Sequence, residues 1–275
     1  MADDFIKLET VKFERDGGTT FVILNRPEKR NAMSPQLHMD MCDALDWVAE
    51  DAKSQVVVVT GAGEAFCAGQ DLKLYFRDNE GDPIKMARAR RNAHEWRWNK
   101  LSRYPKPTIA MVNGYCFGGG FTPVVACDFA IAAEEAVFGL SEVNWGTIPG
   151  GMVSWAINQA LSYRKAIYYA VTGETFTGKQ AADMDFVTFA VPKAKLREAT
   201  MKLARALEAK SPSAVRATKE AVRSTRGMSQ EQAMDYLNAK TESAQFRDRE
   251  GGRDKALKQF IDEKSFKPGF GDFKR

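Results

Sequence analysis

Residues 107–126 read PTIAMVNGYCFGGGFTPVVA and contain three successive glycines between an apolar run and a second apolar segment. Pro107–Val112 predicts a buried strand, Gly118–Gly120 a turn, and Phe121–Ala126 a helix that begins at the turn. Three successive glycines can bring backbone N–H groups close to a ligand because no Cβ blocks the approach. A helix N-terminus also favours negative charge. A close-packed turn explains the glycines equally well, whereas a Walker loop does not, because no Lys-Ser/Thr pair follows.

Strands and helices alternate on the N-terminal side of this stretch. Val56–Thr60 is a β-branched run without alternation, which predicts a strand buried on both faces. Ser34 and Pro35 have the character of an N-cap and a first helical residue, so a helix is expected to follow them. The apolar positions of that helix are Leu37, Met41, Leu45 and Val48. Further strands are predicted at Val11–Glu14, Thr20–Leu24 and Phe129–Ala132.

The chain is predicted to be mostly helical from Val153 onward. Lys195–Ala209 carries apolar residues at helical spacing, and a long amphipathic segment is expected over Ser229–Phe260 with a break near Gly251. The polar tail Lys264–Arg275 is expected to be loosely ordered. Strand–strand–helix units followed by helices indicate an α/β core with a C-terminal helical region, which we place at residues 1–200 and 201–275.

Composition narrows the classes of partner. Hydrophobic residues make up 44% of the 275 residues, charged residues 28%, and the net charge is +4, as in a soluble globular protein. This balance suits a polyanionic small molecule and argues against nucleic acid. The acidic start Met1–Asp4 lacks an apolar signal region, and apolar runs are strand-sized, so neither secretion nor a membrane span is expected. Four unclustered cysteines favour reduced thiols in a cytoplasmic protein.

A second glycine-containing turn invites a different interpretation. Gly61–Phe66 follows a predicted strand and half-matches the dinucleotide-binding fingerprint. The third glycine of that fingerprint is replaced by Phe66, and no helix is predicted to begin there. Because a Rossmann site needs close helix–strand packing at that position, a dinucleotide site is not favoured.

Residues suited to acid–base chemistry are few. The two histidines, His38 and His94, lie in predicted helices rich in charge, where a solvated or partly buried structural role is expected, so a serine-type triad lacks a base. Glu142 lies within the apolar and aromatic segment Phe138–Gly146, where desolvation would raise its pKa toward a useful value. A half-buried structural carboxylate fits the same pattern.

Five segments, taken in order and spacing, resemble the crotonase (enoyl-CoA hydratase/isomerase) superfamily. They are residues 25–33 (NRPEKRNAM), 60–73 (TGAGEAFCAGQDLK), 113–120 (NGYCFGGG), 138–142 (FGLSE) and 146–150 (GTIPG). The resemblance implies a spiral of β-β-α turns with a C-terminal helical trimerisation region. It also implies a homotrimer or a dimer of trimers.

The resemblance implies a substrate as well. An acyl-CoA thioester would place its carbonyl between the backbone N–H groups of Gln70 and Gly119, which hold the enolate. Coenzyme A is then part of the substrate, and no separate cofactor, metal, nucleic acid or membrane is expected. Residues expected along coenzyme A are Lys29, Ala68, Leu72 and Ser141, with Arg30 near the phosphates.

Within the superfamily, further positions look most like the hydroxycinnamoyl-CoA (feruloyl-CoA) hydratase-lyases: residues 75–77 (YFR), Trp96, Trp98, residues 141–145 (SEVNW) and residues 264–269 (KSFKPG). Ordinary enoyl-CoA hydratases carry two glutamates, of which Glu142 matches one while Thr122 stands at the other. Such lyases convert feruloyl-, coumaroyl- or caffeoyl-CoA to an aromatic aldehyde and acetyl-CoA. Tyr75, Trp145 and Asn238 are the expected substrate contacts, although Asn238 stands where that branch carries a tyrosine. Alternatives are a hydratase or isomerase of another acyl-CoA, or a non-catalytic CoA- or RNA-binding relative.

Overall fold

Pairs of strands followed by helices build the first two thirds of the structure, a computed structural model that describes residues 4–249 and 251–265. The strands are β1 (Val11–Asp16), β2 (Thr19–Leu24), β3 (Val56–Gly61), β4 (Ala65–Cys67), β5 (Thr108–Val112), β6 (Tyr115–Phe117), β7 (Phe129–Ala133), β8 (Val137–Gly139), β9 (Thr175–Thr177) and β10 (Phe189–Val191). The helices are α1 (Pro35–Glu50), α2 (Pro83–His94), α3 (Phe121–Ala126), α4 (Val153–Ala160), α5 (Tyr163–Thr172), α6 (Gly178–Asp183), α7 (Leu196–Glu208), α8 (Pro212–Thr225), α9 (Gln230–Arg247) and α10 (Gly252–Leu257).

The strands form two sheets. The larger has the order β1-β2-β3-β5-β7-β10 and the smaller β4-β6-β8-β9. In the three pairs from β3 to β8, the first strand joins the larger sheet and the second joins the smaller one. Because β4, β6 and β8 are parallel neighbours, the segments that follow them leave the same edge of the small sheet. This arrangement confirms the predicted spiral of β-β-α turns.

The core elements follow from the sequence as predicted. Ser34 caps α1 by accepting a hydrogen bond from the Leu37 N–H at 3.2 Å, and Pro35 is the first helical residue. The predicted apolar positions of α1 are fully buried. Every residue of β3 is buried, as expected for a strand covered on both faces. The segment Gly61–Phe66 runs into a strand and not into a helix, which removes the dinucleotide interpretation.

The helical region divides by its packing. α7 packs against strands of the larger sheet, whereas α8 and α9 pack mainly against each other. The predicted boundary after residue 200 falls inside α7, and the division into two regions stays a prediction. The segment predicted to be amphipathic is helical, and the predicted break near Gly251 is confirmed, since α9 ends at Arg247 and α10 begins at Gly252. No residue of α9 is buried. The predicted loosely ordered tail lies, from residue 266, outside the described residues.

No helix within the described ranges combines the length and the apolar character needed to cross a bilayer.

Candidate active site

Three loops meet at the carboxyl edge of the small sheet. Ala68–Asp71 follows β4, Gly118–Gly120 follows β6, and Glu142 comes three residues after the end of β8. Parallel pairing of these three strands therefore gathers segments that lie far apart in the sequence, from Ala68 to Glu142. The predicted backbone donors Gln70 and Gly119 and the predicted carboxylate Glu142 therefore lie at the same edge of the small sheet.

The backbone of Gln70 is oriented by Met33. The Met33 N–H donates to the Gly69 carbonyl at 2.8 Å, and the Asp71 N–H donates to the Met33 carbonyl at 3.0 Å. Gln70 and Met33 thus form an isolated parallel bridge. Since successive N–H groups of an extended backbone point to opposite sides, the Gln70 N–H points away from Met33.

The glycine turn lies directly against this segment. Gly69 has φ +91°, and a Cβ on it would lie 3.0 Å from the Phe117 carbonyl oxygen and 3.6 Å from the Gly119 nitrogen. Gly118–Gly120 form a 3-10 turn that leads into α3, so the Gly119 N–H belongs to a first helical turn without an intrahelical acceptor. Two backbone N–H donors, those of Gln70 and Gly119, are therefore brought close together.

Two side-chain oxygens stand beside the turn without a partner. Across the described residues, Thr122 Oγ1 and Glu142 Oε2 are the buried side-chain oxygen or nitrogen atoms that lack a hydrogen bond. The other oxygen of Glu142, Oε1, lies 2.7 Å from the position that a Cβ on Gly118 would occupy. Buried polar atoms are nearly always hydrogen-bonded, so this pair indicates a place for a substrate or a water molecule.

Glu142 has the protonation behaviour of an acid–base group. Burial raises the pKa of its carboxyl, as the apolar surroundings predicted, and its own backbone N–H opposes the change. A carboxylate that is desolvated and lacks a cationic partner accepts a proton more readily than an exposed one.

A buried hydrogen-bond chain holds the side chain of Gln70. Trp96 Nε1 donates to His38 Nδ1 at 2.8 Å, and His38 Nε2 lies 2.8 Å from Gln70 Oε1. An indole N–H can only donate, so Nδ1 is the acceptor and Nε2 carries the proton. Burial, with the nearby charge of Arg97, lowers the pKa of His38 to about 3. His38 is fully buried, so the expectation of a solvated or partly buried histidine was wrong.

Tyr75 and Arg97 line the inner side of the same region. Tyr75 is 5% exposed and packs edge-on against the His38 ring at a centroid distance of 5.5 Å. Arg97, 3% exposed, donates to the Gly119 carbonyl at 3.2 Å and to the Ala93 carbonyl at 2.9 Å. Sequence reasoning singled out Trp96 through the family resemblance but missed Arg97, because a residue inside a charged helical segment gives no sign of which face will be buried.

The remaining predicted residues lie at the surface of the site or away from it. Ser141 directly precedes Glu142 and is half-buried, and Trp145 is 66% exposed at the end of the same 3-10 turn, Glu142–Trp145. Asn238 is exposed on α9, whose packing partner within the chain is α8, so the structure does not bring it to the three loops. Besides Ser141, the other three residues expected along coenzyme A are partly or fully exposed: Lys29, Ala68 and Leu72.

A spiral of β-β-α turns that brings two backbone N–H donors next to a half-buried carboxylate defines an enzyme of the crotonase class. The sequence profile of the enoyl-CoA hydratase/isomerase family matches residues 14–272, and the chain belongs to that family.

Similar proteins of the family are known from several bacteria. The chain is 52% identical over 268 residues to a hydroxycinnamoyl-CoA hydratase-lyase of Pseudomonas fluorescens, covering 97% of each chain. It is 32% identical to a 2,3-dehydroadipyl-CoA hydratase of Escherichia coli, covering 80% of this chain and 86% of the relative. The crystal structure of an enoyl-CoA hydratase from Bacillus anthracis superposes with a TM-score of 0.84 at 28% identity, covering 93% and 97% of the two chains.

Proposed function

We propose that this protein hydrates a hydroxycinnamoyl-CoA such as feruloyl-CoA and then cleaves the product to an aromatic aldehyde and acetyl-CoA. The observation that carries the proposal is the pair of unpartnered oxygens, Thr122 Oγ1 and Glu142 Oε2, beside the glycine turn. The site thus offers one acid–base group and one hydroxyl, and not two carboxylates. The similarity to the Pseudomonas hydratase-lyase over 97% of the chain supports the same reaction.

Hydration begins with the thioester carbonyl oxygen between the N–H groups of Gln70 and Gly119. Glu142 takes a proton from water while the water oxygen bonds to Cβ, and the electron pair of the Cα–Cβ double bond moves to give the enolate. Each well-placed donor stabilises such an oxyanion by about 3 kcal/mol. Glu142 then returns the proton to Cα, and Thr122 orients the attacking water.

Cleavage uses the same groups again, with Glu142 acting first as base and then as acid. Glu142 takes the proton of the β-hydroxyl, the C–O bond becomes a carbonyl, and the Cα–Cβ bond breaks. Its electron pair forms the enolate of acetyl-CoA, which the Gln70 and Gly119 donors hold. Protonation of that carbon by Glu142 releases acetyl-CoA and the aldehyde, so one carboxyl group serves both steps.

Recognition of the acyl and coenzyme parts is assigned to the residues around these groups. Tyr75 and Trp145 contact the aromatic ring, and hydrogen bonding of the phenol by Tyr75 helps it to push electrons toward the benzylic carbon. Coenzyme A lies along Lys29, Ala68, Leu72 and Ser141. The active protein is a homotrimer or a dimer of trimers in the cytoplasm, and it needs no separate cofactor.

Product analysis with feruloyl-CoA tests the proposal. Purified protein is expected to release vanillin and acetyl-CoA in equal amounts, and Glu142→Gln is expected to release neither while still binding CoA. Turnover of crotonyl-CoA together with absence of any aldehyde would instead assign a hydratase without lyase activity. Tyr75→Phe sharpens the test, because it should reduce kcat/KM for feruloyl-CoA but not for cinnamoyl-CoA, which lacks the phenol.

A further inference from the structure

A buried positive charge stands behind the glycine turn without a carboxylate to balance it. No described Asp or Glu lies within ion-pair distance of the Arg97 guanidinium, whose hydrogen bonds go to the carbonyls of Gly119 and Ala93. Burial lowers the pKa of Arg97, and the neighbouring side chains of Tyr75 and Cys67, both neutral near pH 7, act in the opposite direction. Burying an unpaired charge lowers the stability of the folded protein. A charge that is kept there despite this cost is therefore a candidate for a functional role.

The position of Arg97 suggests that use. A Cβ on Gly119 would lie 2.8 Å from Arg97 Nη1, and a Cβ on Gly151 would lie 3.4 Å from Nη2. The guanidinium is thus wedged between the glycine turn and the loop that follows the Glu142–Trp145 turn. By donating to the Gly119 carbonyl, the guanidinium also fixes the Gly119–Gly120 peptide, which directly follows the Gly119 N–H.

We propose that Arg97 is a positioning residue for this reaction. It holds the Gly118–Gly120 turn through the Gly119 carbonyl, and its charge favours the negative charge that develops on the thioester oxygen. The inference rests on the proposed enolate chemistry. A charge acts strongly over short distances in a water-poor interior, and a group fixed in advance needs no reorganisation during the reaction.

Exchange of the acetyl-CoA methyl protons with solvent deuterium isolates this step. It requires only enolate formation by Glu142 and the two N–H donors, so it does not depend on the aryl group. Arg97→Gln removes the charge but keeps a donor, Arg97→Lys keeps the charge, and Arg97→Met removes both. Arg91→Gln, which removes an exposed charge from α2, is the matched control.

Mass spectrometry at saturating acetyl-CoA gives the exchange rate, and calorimetry gives acetyl-CoA binding. We expect Arg97→Gln and Arg97→Met to lower the maximal exchange rate about 100-fold. Arg97→Lys should stay within about tenfold of the wild type, with binding changed less than about threefold in all three variants. Arg91→Gln should exchange at the wild-type rate.

Two results would overturn the inference while leaving the proposed function intact. One is a wild-type exchange rate in Arg97→Gln. The other is an equal loss in Arg97→Gln and Arg97→Lys together with weakened binding, which would make Arg97 a packing residue. If Arg97→Met does not fold, the Gln and Lys variants alone decide the question. Absence of exchange in the wild type would overturn the enolate chemistry itself and this inference with it.

Discussion

His38 Nε2 donates a hydrogen bond of 2.8 Å to Gln70 Oε1, and through it a fully buried histidine holds the residue whose backbone N–H we propose as a thioester donor. The ring is neutral because it must accept from Trp96 at Nδ1 while it donates at Nε2. Protonation of His38 Nδ1 would place two N–H donors, those of Trp96 Nε1 and His38 Nδ1, opposite each other without an acceptor. The side chain of Gln70 is therefore held by a hydrogen-bond chain in which His38 can have only one protonation state.

The neutral state of His38 predicts a pH dependence of stability. Its pKa is lowered from 6.5 to about 3 in the folded protein, so between these values the unfolded chain binds one more proton. The free energy of unfolding should then fall by about 1.4 kcal/mol for each pH unit below 6.5 and level off near 3. Urea unfolding at several pH values should show this slope, and His38→Asn should lose it. His94→Asn is the control, and a slope that survives in His38→Asn would contradict the assignment.

Loss of the Trp96 donor should destabilise the protein. Trp96→Phe leaves His38 Nδ1 buried without a partner, which costs about 1–3 kcal/mol. The neighbouring Trp98 packs edge-on against Trp155 at 4.6 Å, and Trp98→Phe keeps most of that packing. The melting temperatures of the two variants compare the contribution of an internal hydrogen bond to stability with that of an aromatic contact. Equal melting temperatures for Trp96→Phe and the wild type would show that the indole hydrogen bond is dispensable.

Ionised Glu142 should itself reduce stability. Burial raises the pKa of Glu142, so the folded protein binds its proton more tightly than the unfolded chain and loses stability as pH rises through that pKa. Glu142→Gln is expected to abolish turnover and to melt at an equal or higher temperature than the wild type at pH 7. At pH 4 the two should differ less. A marked drop in melting temperature for Glu142→Gln at pH 7 would refute this account.

The Thr122 hydroxyl should matter for turnover and not for folding. Its oxygen is buried without a partner, so Thr122→Val removes an unsatisfied group of nearly equal size and is expected to leave stability unchanged or raise it by about 1 kcal/mol. Turnover of feruloyl-CoA should fall by on the order of 100-fold, because a reacting group that loses its orientation slows the reaction by about that factor. Thr122→Ser keeps the hydroxyl and should retain most activity. If Thr122→Val is as active as Thr122→Ser, the hydroxyl has no role in orienting water.

Asn238 is a predicted substrate contact that the structure does not bring to the three loops of the site. Because it is exposed on α9, Asn238→Ala should leave the melting temperature unchanged. A substrate-binding role predicts that kcat/KM falls for feruloyl-CoA relative to cinnamoyl-CoA. The neighbouring exposed Asp235→Ala serves as a control on the same helix. Equal ratios for the two substrates in the wild type and in Asn238→Ala would exclude contact with the phenol.

The sequence by itself determined the elements and the chemical groups. Buried β-branched runs such as Val56–Thr60, the cap at Ser34 and the glycine turn have local physical causes, so their positions could be read along the chain. Glu142 was found in the same way, because its apolar neighbours are contiguous in sequence. Burial of His38 was not foreseen, since a helix in a charged segment can present either face to the core.

Only the tertiary structure decided which groups meet. Parallel pairing of β4, β6 and β8 brings three distant loops to one edge, and this pairing has no local signature. The partners of a buried polar residue come from other elements, as Trp96 and Gln70 do for His38 and as Gly119 does for Arg97. Local sequence therefore fixed the glycine turn and the carboxylate, while long-range packing fixed the charge and the hydrogen bonds that hold them.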